Sequence, residues 1–184
     1  AFPYHGDPRL AYAAEQARID GGAFVILSAT PPAELRKAAR RGEIRHARVS
    51  ARFHGHPLPV PRRLAVPPLH KWAPAGAVPR RLREALRTSL DRGAQIFLFV
   101  PRIDRIGDVV RALEAAFPGV PAGGVSSRDP ERGGKVTDFR GRKLRIMVTT
   151  TILERGVTVP KSDVFILDAD CGLFDEAALV QMAG

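Results

Sequence analysis

From Arg80 onward the chain alternates short apolar runs with amphipathic stretches, a pattern that few folds accept. Residues 95–100 (QIFLFV), a weaker run at 120–126, and the runs 144–148 and 164–167 read as strands. Between them lie helix patterns. The stretch 80–92 sets Leu82, Ala85, Leu86 and Leu90 on one face and stops at Gly93, while 101–117 sets Ile103, Ile106, Val110, Leu113 and Phe117 on one stripe. Asp129 can cap a third helix with Pro130 at its first position, continuing to Phe139 through Gly133-Gly134, and Asp175 opens a last one. A run apolar at every position is buried on both faces, and strands that alternate with helices pair in parallel. The expected fold class is α/β, a doubly wound parallel sheet.

The earlier part is less regular. Residues 9–19 read as a helix stopping at Asp20-Gly21-Gly22, and 23–27 (AFVIL) as a buried parallel strand. Ser28-Ala29-Thr30 closes that strand, Pro31-Pro32 opens a helix to about Arg41 with Gly42 as its stop, and 44–49 reads as one more strand. Seven of the sixteen prolines lie between Pro57 and Pro79, which marks a connector instead of a core element. The expected division is residues 1–62, a proline-rich linker at 63–79, and 80–184.

Lys and Arg number 29 against 19 Asp and Glu, so the net charge of +10 favours a polyanionic partner. Arg80, Arg81, Arg83, Arg140, Arg142 and Lys143 are candidates for sequence-independent phosphate attraction. Cys171 is the only cysteine, which excludes an internal disulfide or a four-cysteine zinc site and suits a reducing compartment. No apolar run approaches the roughly 18 to 20 residues that cross a bilayer. The chain opens on Ala1-Phe2-Pro3-Tyr4 with no methionine, as a piece of a longer protein would.

Ligands of a parallel sheet bind outside the carboxyl ends of its strands. The segment 144–160 (LRIMVTTTILERGVTVP) delivers Thr149, Thr150 and Thr151 to such an end. Gly156 lets backbone approach a phosphate, and Glu154 and Arg155 share its loop. The same threonines also suit a plain β-branched strand running into a turn. Ser28 and Thr30 follow another strand and serve equally as helix caps or as bridges to a neighbouring strand end. Gln181-Met182-Ala183-Gly184 lies on an amphipathic helix.

Order adds what the separate segments lack. Ser-Ala-Thr, then a linker, the QIFLFV strand, the Thr-rich strand with ERGVTVP, and Gln-x-x-Gly resembles motifs III, IV, V and the start of VI of superfamily-two helicases and translocases. The phrases HGHPLPVP (54–61), FVPRI (99–103), TTTILERGVTVP (149–160) and FDEAALVQMAG (174–184) together resemble the ComFA-type late-competence DNA-uptake ATPases, and Ala1-Phe2-Pro3-Tyr4 resembles the residues just after their Walker B motif.

The resemblance implies two RecA-like lobes: the end of the N-terminal lobe in 1–62 and a helicase C-terminal lobe in 80–184. It assigns Ser28, Ala29 and Thr30 to the motif that couples ATP state to lobe movement. Thr150, Gly156 and Thr158 fall in the motif that contacts nucleotide and DNA backbone, with Thr149, Thr151, Glu154 and Arg155 beside them. Gln181 and Gly184 open the next motif; Ser126, Ser127, Arg128 and Arg102 are further backbone contacts. It also implies ATP and Mg²⁺ in the intact protein, zinc only in a region outside this chain, and single-stranded DNA as partner. A ComFC-like protein and the membrane DNA-uptake channel complete the implied partners, with a cytoplasmic or inner-face peripheral location and no membrane insertion. A GxxxxGK[ST] loop, an acidic Walker B pair and the expected arginine pair are absent from the 184 residues. No catalytic residue is therefore expected within them, and this stretch alone should not hydrolyse ATP. A PriA-like replication-restart helicase and a non-catalytic nucleic-acid-binding module are the competing readings.

Overall fold

The computed structural model describes residues 9, 12–13, 16–17, 19, 21–23, 25–28, 31–49, 55, 59–150, 159–172, 174, 178–179 and 182. The chain forms two compact units, Ala1–Pro57 and Leu58–Gly184.

In the first unit Arg9, Tyr12, Ala13 and Gln16 are helical, within the helix expected at 9–19, and a further helix, α1 (Ala33–Arg40), is opened by Pro32. It ends on Gly42, whose N–H donates to the Ala39 carbonyl while Glu43 N–H reaches back to the Ala38 carbonyl. That is a Schellman cap, and it places Gly42 in the left-handed region at φ 76°. Among the described residues neither of the two strands expected here is seen. Val25, Ile26 and Leu27 are 73%, 51% and 89% exposed, and neither 25–28 nor 44–49 pairs as a strand. A strand needs a neighbour to take its hydrogen bonds, and the described sheet lies wholly in the other unit.

The second unit is built on four parallel strands: β1 (Gln95–Phe99), β2 (Ala122–Val125), β3 (Ile146–Thr149) and β4 (Ser162–Ile166), in the order β2-β3-β1-β4. Register places Phe99 beside Thr149 and Ile166, and Thr149 beside Val125, so one row closes the carboxyl edge. All five residues of β1 are buried, as the apolar run 96–99 requires, and the polar Gln95 is buried with them. Ile96, Leu98 and Val100 pack on one face with Ile146, Val148 and helices α3 (Arg80–Asp91) and α4 (Ile106–Ala116). Phe97, Phe99 and Met147 pack on the other with Phe139 of α5 (Arg132–Arg140), Phe174 and Met182. Phe97 meets Phe139 edge-on at 4.7 Å between ring centroids. Two covered faces make this the expected doubly wound sheet.

Several details depart from the sequence pattern. The proline-rich stretch holds a short helix, α2 (Leu69–Trp72), and sends Leu69, Trp72, Ala73 and Val78 into the core. Its prolines punctuate a strap that the core needs. The stretch 101–117 begins as a 3-10 turn (Ile103–Arg105), and Val109 and Ala112 are as fully buried as the expected Leu113. Helix α5 starts two residues after Pro130, because the Asp129 carboxylate accepts from Glu131 N–H at 2.9 Å and closes a turn ahead of the helix.

Two buried contacts lock the sheet. The Gln95 side-chain amide, 1% exposed, donates to the carbonyls of Phe139 and of Leu144, the latter at 3.1 Å. At Gly124 a Cβ would run into Ile106 Cγ2, so the missing side chain is what lets α4 lie on β2.

Candidate nucleotide and nucleic-acid site at the carboxyl edge

The strands are parallel, so their carboxyl ends share one edge. There Val100 N–H donates to the Thr149 carbonyl at 2.8 Å and Leu167 N–H to the Phe99 carbonyl at 2.9 Å, extending the ladder one step. The residues that emerge are Pro101 after β1, Ser126 after β2, Thr150 after β3 and Asp168 beyond Leu167.

Thr149 and Thr150 differ in kind. Thr149 is fully buried and its hydroxyl donates to the Thr150 carbonyl at 3.2 Å, which commits it to the fold. Thr150 is 6% exposed, and among the described residues its Oγ1 has no hydrogen-bond partner. A buried hydroxyl without a partner costs on the order of 1–3 kcal/mol, and it marks where a ligand oxygen would be welcome. Thr151, Glu154, Arg155, Gly156 and Thr158 lie outside the described residues, as do Ala29, Thr30, Gln181 and Gly184. Ser28 is exposed, in the first unit.

Ser126, Ser127 and Arg128 form the turn after β2. Ser126 Oγ accepts from Arg128 N–H at 3.2 Å and its carbonyl accepts from Asp129 N–H at 3.3 Å, leaving Ser127 and Arg128 exposed. Lys135 ties this turn down, donating to Asp129 Oδ2 at 2.7 Å and to the Gly124 carbonyl at 3.3 Å. The hydrogen bond from Lys135 holds the Asp129 carboxyl below its ordinary range. Arg102 stands after β1 and is engaged: its Nε and Nη2 bind the Asp104 carboxylate at 3.0 and 2.8 Å. The pairing raises the Arg102 pKa and lowers that of Asp104. The pair is well exposed, so a phosphate can compete for this guanidinium.

Two participants left no local trace in sequence. Asp168, at φ 48° beyond β4, accepts the Leu69 N–H on Oδ1 at 3.0 Å and on Oδ2 at 3.2 Å, pinning the strap to this edge. Lys135, on α5, lies six residues after the acid it binds in the turn before that helix. The six basic residues expected to attract phosphate divide between the ends of the sheet. Arg80, Arg81 and Arg83 begin α3 on the carboxyl side, whereas Arg140, Arg142 and Lys143 precede β3 on the amino side. Among the described residues no three His, Cys, Asp or Glu side chains gather as metal ligands, and no helix is long and apolar enough to cross a membrane.

This parallel sheet with hydroxyl and cationic groups at its carboxyl edge is a RecA-like helicase C-terminal domain: residues 77–184 match the helicase conserved C-terminal domain, and the chain belongs to that family. The likeness then narrows. Over the whole chain it is 39% identical to the competence protein ComFA of Bacillus subtilis and 32% identical to that of Streptococcus pneumoniae. The chain spans 39% and 43% of those two proteins' lengths. It is also 31% identical over 107 residues to the transcription-repair-coupling factor of Staphylococcus aureus, covering 56% of this chain and 9% of that protein. The Pyrococcus furiosus Hef helicase domain aligns with 55% of this chain and 21% of its own, at 21% identity and a TM-score of 0.43.

Proposed function

We propose that this chain is part of an ATP-driven motor that moves single-stranded DNA, and that the intact protein draws DNA into the cytoplasm during competence. The observation that carries the reading is likeness along the whole chain to two competence proteins. The carboxyl edge supports it physically, through a buried Thr150 hydroxyl that has no partner among the described residues and a serine-arginine turn beside it.

In this reading the first unit is the end of the first RecA-like lobe and the second unit is the second lobe. Thr150, Gly156 and Thr158 touch nucleotide and DNA backbone. Ser28 and Thr30 transmit the nucleotide state, Gln181 and Gly184 open the following motif, and Ser126 to Arg128 hold backbone phosphates. Arg102 joins them by exchanging Asp104 for a phosphate. ATP brings Mg²⁺ on its phosphates, and the groups that hold this ion and break the bond belong to the rest of the protein. A ComFC-like protein and the membrane uptake channel are the partners this reading names.

The test is ATP hydrolysis by the intact protein, with and without a single-stranded oligonucleotide. DNA should stimulate hydrolysis, and Thr150→Val should lower the stimulated rate about tenfold or more while leaving the unfolding midpoint unchanged or raised, since the hydroxyl has no partner to lose among the described residues. A rate indifferent to DNA, or a valine variant as active as wild type, sinks the reading. The 184-residue chain alone should show no turnover.

A further inference from the structure

The amino edge of the sheet, opposite the candidate site, gathers Arg142 and Lys143, already candidates for phosphate attraction, with further cations into a pattern to which the motor reading gives no separate role. The turns entering β1, β3 and β4 (92–94, 141–145 and 160–161) hold Arg92, Arg142, Lys143, Arg145 and Lys161 and no acidic residue. Because β1 lies between β3 and β4, these turns are neighbours. Their adjacency is visible in contacts: Arg142 Nη1 donates to the Gly93 carbonyl at 3.3 Å, Arg145 Nη2 to the Ala94 carbonyl at 3.1 Å, and Gln95 N–H to the Lys161 carbonyl at 3.3 Å.

Two of the cations serve the fold. Arg145 staples the turn before β1, and Arg92 pairs with Asp163 at 2.6 Å. Arg142, Lys143 and Lys161 remain exposed. Lys143 makes a loose pair with Asp138 at 3.4 Å while 79% exposed.

The backbone beneath them is the second observation. Helices α1, α3 and α5 end in the same Schellman cap: Ala94 N–H reaches the Ser89 carbonyl and Lys143 N–H the Asp138 carbonyl, as Glu43 does at Ala38. The left-handed position is Gly42 in the first and Gly93 in the second, but Arg142 in the third, at φ 62°. Lys161 adopts φ 58° in the turn before β4. Side chains strain this conformation and glycine does not. Two adjacent turns therefore carry a long cation at a backbone position where glycine is the relaxed choice, and the strain points to a use for the charge.

We infer that Arg142, Lys143 and Lys161 form a second, sequence-independent contact for a phosphodiester backbone, on the edge of the lobe opposite the motor track. It holds a segment of nucleic acid other than the one being pulled, by exposed point charges and by a guanidinium that keeps free N–H groups after its bond to Gly93. The inference rests on the nucleic-acid reading of the lobe but names different residues and a different surface.

The test is salt-dependent binding of a labelled oligonucleotide to the intact protein, single-stranded in one arm and duplex in the other. The variant is Arg142→Asn, Lys143→Gln, Lys161→Asn, since Asn tolerates left-handed backbone and the fold is kept; an unchanged unfolding midpoint verifies that. Removing three contacts should flatten the slope of log affinity against log salt by about 2 units for the single strand or ~3 for the duplex, and the arm that flattens identifies the strand form. Wild-type slopes in both arms overturn the inference and leave the motor reading standing, with an acidic protein surface as the remaining fit for the patch. A wild-type protein whose binding ignores salt overturns both.

Discussion

Residues 23–27 and 95–99 look alike in sequence, each a short apolar run ahead of a turn, and they meet opposite fates. Gln95–Phe99 is buried at every position with a strand on each side, whereas Val25, Ile26 and Leu27 are largely exposed and no described strand lies beside them. Burial is not a property of the run. It comes from neighbours: β3 and β4 take the hydrogen bonds of β1, and α3, α4 and α5 cover its two faces. The first unit offers its run nothing comparable among the described residues.

The largest effect should come from cutting into the buried run. Leu98→Ala removes a fully buried side chain between α3, α4 and the sheet and should cost about 2–5 kcal/mol. Leu27→Ala should change stability by no more than about 0.5 kcal/mol. Trp72, the single tryptophan, lies 5% exposed in the core of the second unit, so its fluorescence during denaturant unfolding reads that unit directly. Equal shifts for the two variants would break the contrast.

A smaller effect tests what covers the run. Gly124→Ala places a methyl against Ile106 Cγ2 and lifts α4 from β2, which should cost about 1–3 kcal/mol by the same fluorescence measurement. Gly133→Ala, at a helical position with open space around it, should be neutral or slightly stabilising. If the two alanines behaved alike, close helix packing would not be what separates the second unit from the first. Next comes Gln95→Leu, which keeps the bulk but orphans the carbonyls of Phe139 and Leu144, for a loss of about 1–3 kcal/mol.

The same contrast separates what is legible in the sequence from what is not. Strands β1, β3 and β4 and helices α3 and α4 are legible because period and burial agree there over whole elements. The run at 23–27 misleads because its pattern describes a demand for partners without supplying them. Proline density makes the strap look like a connector and hides Leu69, Trp72 and Val78, whose burial depends on a sheet that comes later in the chain. In the site, Thr150 is visible as a hydroxyl at a strand end. Asp168 is not, since a carboxylate that caps a backbone N–H 99 residues away leaves no local signature. Arg142 is legible as one cation among several, but its left-handed cap position is not, because the rules for helix ends look for glycine there.

The smallest effect lies at the turn after β2, where proton uptake should loosen the carboxyl edge and leave the buried run intact. Lys135 binds the Asp129 carboxylate, and that hydrogen bond, with the Glu131 N–H beside it, lowers the Asp129 pKa in the folded protein. A carboxyl whose folded pKa is depressed contributes stability above its unfolded value, about pH 4, and loses it as pH falls through the folded value. Amide exchange at Arg128 and Glu131 should therefore quicken below about pH 4 after correction for its intrinsic pH dependence, while amides of β1 stay protected. Asp129→Asn, which cannot take a charge, should remove that acid-dependent step and show the loosened turn at neutral pH. If the asparagine variant kept the step, another acid at this edge, such as Asp104, would be its source. If β1 opened together with the turn, the edge and the core would unfold as one cooperative block, and the carboxyl edge could not adjust to a ligand without disturbing the sheet that positions it.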